Sequence, residues 1–323
     1  MLSFVLRRAT AALLTLAGVL ALVFALMAAA PGDPATLAAH AGGARNVRIS
    51  PEAVEAFHRL YGLDRPLVER FVIWIFHAVR FDFGRSFLDG REVKVRIAET
   101  LPATLAVNAG ALLLAVLIAL PCGVASARRP GGRFDRLSGL VFDVLFAMPT
   151  FVLGMVFLLV FSVALHVTPL FADPGLGLRG LMLPVATLAL ASVAPLARFV
   201  RACVKEALEA PATAAARARG ESPGGQVRRA LRRSAGALAA MGAAVVPGAV
   251  AGSILVERLF ALPGSGGLLA DAVFARDVPT VLGLTLLVAA VVVVSSLLAD
   301  LASAALDPRT RTAEAADAAA EAA

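Results

Sequence analysis

Six apolar runs, each near the length that a lipid bilayer demands, constrain this sequence more than any motif in it. They extend from about Ala9 to Ala30, Thr104 to Val124, Leu137 to Leu165, Leu181 to Val204, Ala235 to Leu255 and Thr280 to Ala305. A hydrocarbon core about 30 Å thick takes about 20 helical residues to cross. Helices are suited to it because they satisfy their own backbone hydrogen bonds. A water-soluble fold is excluded on the same ground. Hydrophobic residues make up 59% of the chain and charged ones only 16%, against about 25% charge in an average soluble domain. The expected class is an all-α membrane protein with six transmembrane helices. The fifth run is rich in Ala and Gly, which lets helices approach closely. The first is longer than the roughly 7–15 apolar residues of a signal peptide. It is read as a retained helix despite Arg7, Arg8 and the cleavage-like Ala28-Ala29-Ala30.

The net charge of +7 is distributed as membrane-flanking positive charge rather than as a nucleic-acid surface. Arg7 and Arg8 precede the first run. Arg128, Arg129, Arg133 and Arg136 separate the second from the third. Lys205, Arg217, Arg219, Arg228, Arg229, Arg232 and Arg233 separate the fourth from the fifth, and Arg309 and Arg311 follow the sixth. Positive loops stay inside, so these segments and both termini are expected in the cytoplasm. The chain then divides into a first helix (1–30), an extracytoplasmic helical segment (31–102), a five-helix core (103–305) and a cytoplasmic tail (306–323). In the outer segment Ser50-Pro51-Glu52 is a helix start. Val68, Phe71, Val72, Ile75 and Phe76 recur at helical spacing, as a packing face does.

Several chemistries are missing. A phosphate-cradling P-loop needs Gly-Lys, and the two lysines, Lys94 and Lys205, each follow a valine. His40, His58, His77 and His166 form no metal-ligand spacing, so neither a metal nor another cofactor is expected. Gly264-Ser265-Gly266-Gly267 is read as a turn rather than a phosphate cradle. No catalytic residue is assigned, and the chain is not expected to be an enzyme.

The connection between the fourth and fifth runs, about residues 205–234, carries the most information. Helix connections usually take about 2–8 residues. Pro211 suits a first helical turn, Ala212 to Arg219 are mostly strong helix formers, and Gly220 is a natural stop. A short helix is therefore expected on the cytoplasmic face. Two uses fit it: seating in a groove of a partner, or a basic surface touching lipid headgroups.

This stretch resembles the EAA-x3-G coupling motif of bacterial ABC importer permeases. Ala215, Ala216 and Gly220 match its frame, and Arg217-Ala218-Arg219-Gly220 is similar to the form found in the dipeptide, oligopeptide and nickel branch. Further stretches fall in the branch's order: Pro31-Gly32-Asp33-Pro34, Tyr61-Gly62-Leu63-Asp64-Arg65-Pro66, Phe81-Asp82-Phe83-Gly84-Arg85-Ser86 and Pro102-Ala103-Thr104-Leu105. They continue with Met148-Pro149-Thr150-Phe151, Leu183-Pro184, Glu257-x2-Phe260-x2-Pro263-Gly264, Arg276-Asp277-x-Pro279 and Asp307-Pro308-Arg309. The resemblance covers nearly the whole chain. It implies the type I importer permease fold in the inner membrane and a second permease, by the branch's habit a homologous sister chain, sharing the path. It also implies one or two separate ATP-binding subunits, and an outer solute-binding protein delivering di- or oligopeptides. On this basis Ala212, Ala215, Ala216, Arg217, Arg219 and Gly220 are the expected ATPase-coupling residues. The alternative class is a self-sufficient secondary transporter or channel.

The sequence departs from the branch in places. The motif's leading acidic position is Ala214, and the proline expected about eighteen residues after the glycine is absent. Asp143 falls inside the third run, where an ionisable residue needs a partner or water. Contact with a solute amine and pairing with a polar group of the second permease both fit it. Pro149, at a break in that run, and Glu257, at the outer end of the fifth, are candidates for the path or its gate. Arg198 and Arg201, with Asp300, are read as interfacial anchors or an inner ion-pair cluster.

Overall fold

The computed structural model describes residues 2–36 and 50–306. His40, Asp307, Pro308, Arg309, Arg311 and the tail lie outside the described residues. Twelve α-helices are named here among the described residues: α1 Leu2–Ala29, α2 Pro51–Tyr61, α3 Leu67–Ala78, α4 Val93–Arg128, α5 Arg133–Ala147, α6 Thr150–Phe157, α7 Leu178–Glu209, α8 Pro211–Ala218, α9 Pro223–Arg233, α10 Ala235–Leu259, α11 Ser265–Phe274 and α12 Val278–Leu306. The only β pairing among the described residues is an isolated bridge between Arg85 and Glu92.

Four segments are long and apolar enough to cross a membrane: Thr10–Ala29, Val93–Arg128, Arg179–Glu209 and Val278–Ala299. A bent pair, Arg133–Ala147 with Thr150–Ala164, makes a fifth if counted as one span. The break expected at Pro149 in the third run is a bend of 102° between two pieces. The cause is local. Proline disfavours helical backbone in the residue before it. Met148, ahead of Pro149, is extended at φ −81° and ψ 126°. The second crossing starts at Val93 rather than Thr104. The run expected as the fifth crossing lies in the 25-residue helix α10, of which Ala235–Val246 is a shorter apolar stretch outside the segments that meet the length for crossing.

The chain forms two compact units. The first comprises Met1–Leu105 with Leu262–Val293, and the second Ala106–Ala261 with Val294–Ala323. In the first unit the outer segment folds on α1 and the start of α12. Ser50 caps α2 by accepting the Ala53 amide at 3.3 Å. Gly62 ends α2 in the left-handed region at φ 62°. Phe24, Phe87, Val278 and Leu282 are buried, with Phe57, Tyr61, Phe71 and Trp74 packed against them. The Tyr61 and Phe87 rings lie 4.6 Å apart and those of Phe24 and Phe71 5.2 Å. The apolar stripe on α3 is divided. Phe71 and Trp74 pack inward, whereas Val68, Val72 and Phe76 are exposed. A single packing face is therefore corrected to two apolar faces.

The same unit is locked by polar contacts. Asp277 is fully buried. It accepts the Ser86 hydroxyl at 2.5 Å, the Phe87 amide at 2.9 Å and the Thr280 hydroxyl at 2.6 Å. Arg96 stands 3.4 Å away. Beside it, Arg276 adopts φ 55° and donates to the Met27 carbonyl at 2.6 Å and to the Gly32 carbonyl. The turn expected at Gly264–Gly267 is instead the beginning of α11. Its Ser265 amide donates to the Thr104 hydroxyl at 2.8 Å.

In the second unit, α7 is the central element, with α5, α6, α9 and α10 packed on it. Small residues permit the closest approaches. A Cβ on Gly123 of α4 would lie 2.7 Å from the Ala197 carbonyl of α7. One on Gly154 of α6 would lie 2.7 Å from Leu259. Val200, Val204 and Ala207 of α7 form a buried core with Ala127 and Ala230.

Candidate functional site

The segment expected to couple is built by two prolines and a glycine. Ala210, ahead of Pro211, is extended at φ −63° and ψ 143°, so the chain turns as α7 gives way to α8. Thr213 fixes the turn, donating its hydroxyl to the Ala207 carbonyl at 2.7 Å. Thr213 and Ala216 are buried, whereas Ala212, Ala215, Arg217, Arg219 and Gly220 are exposed. Ala212, Ala215 and Arg219 recur at i, i+3 and i+7 and share one outward face. Ala216, expected with the coupling residues, instead belongs to the inward face that holds α8 in place.

The end of α8 is a Schellman motif. The Gly220 amide donates to Arg217 at 3.0 Å and the Glu221 amide to Ala216 at 3.1 Å, the two bonds that satisfy a helix's last carbonyls. Gly220 sits at φ 82°, where any side chain is strained. Immediately afterwards Ser222 accepts the Gly225 amide at 3.3 Å and Pro223 opens α9.

Helix α9 was not expected. Its signals are Ser222-Pro223 and the spacing of Val227, Ala230 and Leu231, outweighed on paper by the glycines and arginines around them. It braces α8. Glu221 accepts two bonds from Arg229 at 3.0 and 3.1 Å. Gln226 donates to the Glu221 carbonyl at 2.8 Å and accepts from Arg217 at 3.3 Å. Ala230 is buried, and Ser234 ties the end of α9 to the Cys203 carbonyl of α7 at 3.2 Å. The side-chain bond from Arg229 holds the Glu221 carboxyl below the usual range, against a slight opposing effect of burial.

The structure also gathers charges between α5 and α7. Arg198 donates to Asp143, and Arg201 grips Asp135 through two nitrogens at 2.6 and 2.8 Å. A cavity of about 390 Å³ lies beside these pairs, lined also by Ser126, Ser138 and Phe142. Asp143 thus has an arginine within its own chain. Asp135 was missed from sequence. The signal was available, because Asp135 and Asp143 are eight residues apart and fall on one helix face, as do Arg198 and Arg201 at i, i+3. Pro149 makes the break between α5 and α6. Glu257 is 1% exposed in the last turn of α10.

The geometry is that of a helical membrane component with a short, exposed helix braced beneath its spans. Residues 119–312 match the family of the binding-protein-dependent transport system inner membrane component, and residues 1–108 match the N-terminal part of such membrane components. The chain is 31% identical over 314 residues to the dipeptide transport system permease protein DppB of Lactococcus lactis subsp. cremoris, covering 96% of this chain and 100% of that one. It is 32% identical over 321 residues to the oligopeptide transport system permease protein AppB of Bacillus subtilis, covering 96% and 99%. The chain belongs to the binding-protein-dependent transport system inner membrane component family, and it is a permease subunit of an ABC importer.

Proposed function

We propose that this chain and a second, homologous permease line a path for di- or oligopeptides across the inner membrane. In this reading the outward face of α8 docks on a separate ATP-binding subunit, and an outer binding protein delivers the peptide. Six crossings, with the bent α5–α6 pair as the third and α10 as the fifth, put both termini and the α8–α9 hairpin in the cytoplasm. The basic loops favour that orientation. The peptide assignment draws on the names of the relatives, both peptide permeases along their full length.

One observation carries the coupling role. Helix α8 exposes Ala212, Ala215 and Arg219 while Thr213 and Ala216 are buried and α9 braces it from behind. Such a helix transmits a push rather than yielding to it, as a lever between a partner and a bistable bundle must. ATP hydrolysis belongs to the partner subunits. This chain would contribute no catalytic group, only the path and the lever. Pro149 and Glu257 are assigned to the path or its gate.

The test is Gly220→Trp in the assembled complex. Loss of the left-handed end and a bulky ring beside the docking face should abolish peptide-stimulated ATPase activity and transport. If both stay at the unmodified level, the coupling assignment is wrong.

A further inference from the structure

We propose that the cleft of the first unit formed by α2, α3 and the adjoining ends of α1 and α12 binds the phosphate of an anionic phospholipid, whose acyl chains follow the exposed face of α3. The cleft has a volume of about 590 Å³ and is lined by Phe24, Arg59, Arg65, Arg70, Trp74 and Arg85, among others. Four guanidinium groups therefore face one space. Asp82 is the one carboxylate lining it, and His77 holds that carboxylate at 3.1 Å.

Two of the lining groups lack an acceptor. Arg70 is half-buried, with its guanidinium 5.8 Å from the Phe24 ring. Among the described residues no carboxylate pairs with it. Burial lowers its pKa, so keeping the charge favours an anion beside it. The indole nitrogen of Trp74 is buried without a hydrogen-bond partner. A buried donor left unmade is costly, and a phosphodiester offers oxygens to both groups. Bonds from a guanidinium to phosphate are among the strong, charge-assisted ones.

The position of the cleft selects a lipid as the source of that phosphate. Phe24 lies five residues before Ala29, the end of the first apolar span, so it sits about 7.5 Å along the axis from that end. That is acyl-chain depth just inside the hydrocarbon edge when α1 crosses the bilayer, from which a long arginine side chain reaches the phosphates above, and the inference rests on that crossing. On the same helix as Arg70 and Trp74, Val68 is 76% exposed, and Val72 and Phe76 are exposed one turn apart. Arg80 covers the Phe76 ring at 3.8 Å. Apolar stems with cations at their edge suit a headgroup boundary.

Trp74 is the chain's single tryptophan, so its fluorescence reports this cleft alone. The full chain is reconstituted in phosphatidylcholine vesicles containing a minor fraction of brominated lipid. Brominated phosphatidylglycerol is expected to quench Trp74 at about a tenfold lower mole fraction than brominated phosphatidylcholine, the scale of one charged hydrogen bond. Arg70→Gln should remove the preference and Arg70→Lys should keep part of it. Quenching by the choline lipid should be unchanged in both, which shows that each variant is still seated in the bilayer. Equal quenching of the unmodified chain by the two lipids overturns the proposal, as does a preference that survives Arg70→Gln. Inorganic phosphate in the buffer should leave quenching in place. If low concentrations relieve it, the site is one for free phosphate and the lipid assignment falls. None of these outcomes bears on ATPase coupling, which is read separately.

Discussion

Asp277 shows how much one side chain can decide. It is fully buried and takes hydrogen bonds from Ser86, Phe87 and Thr280, with a fourth at 3.4 Å from its counter-ion Arg96. Removing the carboxylate leaves the Phe87 amide and the Ser86 and Thr280 hydroxyls without their acceptor in a buried place, and takes from Arg96 one of its two carboxylate partners, Asp89 being the other. Asp277→Ala should cost about 3 kcal/mol or more in the unfolding free energy measured in detergent. Asp277→Asn, which keeps an acceptor, should cost less. Glu221 makes a smaller, pH-dependent contribution at the surface. Its folded pKa is depressed, chiefly by the bond from Arg229. The stabilisation it adds is therefore complete above the ordinary glutamate value of about 4.3, and is lost as pH falls through the lower folded value. Limited proteolysis of the α8–α9 hairpin should accelerate over that acid range, less so at high salt, and Glu221→Gln should flatten the response.

At the scale of elements, the helices follow from local chemistry and their contacts from the absence of side chains. Pro149 and Pro211 bend the chain because the residue before each is driven to an extended backbone. Where α4 meets α7, Gly123 has no room for a Cβ, whereas Gly139 of α5 has nothing within 4 Å of one. The two glycines should respond oppositely. Gly123→Val should lower the melting temperature of the isolated chain, by an overpacking cost of about 1–3 kcal/mol. Gly139→Ala should leave it unchanged or raise it, since alanine is better than glycine in a helix by about 1 kcal/mol. Thermal melts followed by circular dichroism would check both. The coupling helix α8 was legible because Pro211, a run of alanines and Gly220 each act within one turn. Helix α9 was not, because Gly224, Gly225 and four arginines mask a cap and a stripe only three residues wide.

For the molecule as a whole, the proposed function divides the work between a path in lipid and a lever on the cytoplasmic side. On that reading this chain supplies a conduit and depends on partner subunits for ATP hydrolysis. Sealed vesicles holding this chain alone should show no uphill accumulation of a labelled peptide. Adding the second permease, the ATP-binding subunits, the binding protein and ATP should restore it. Accumulation by the chain alone would instead mark a self-sufficient secondary transporter. The tertiary grouping also joins α1, the outer segment and residues 262–293 in one unit. In sequence these are separate stretches, and the signatures ending in Ser86 and beginning at Arg276 belong together because one donates to the residue beside the other.

The sequence by itself determined the membrane class, the helices and where most of them begin, bend and stop. Apolar length, caps, prolines and glycines act over a turn or two, and that is the range over which a linear pattern can be read. Only the tertiary structure decided that Asp143 meets Arg198 and Asp135 meets Arg201, that Ala216 turns inward while Ala215 turns out, and that Arg70 and Trp74 line one cleft. Those outcomes depend on the angle and separation at which helices distant in sequence pack, and packing is set by the shapes of many side chains together.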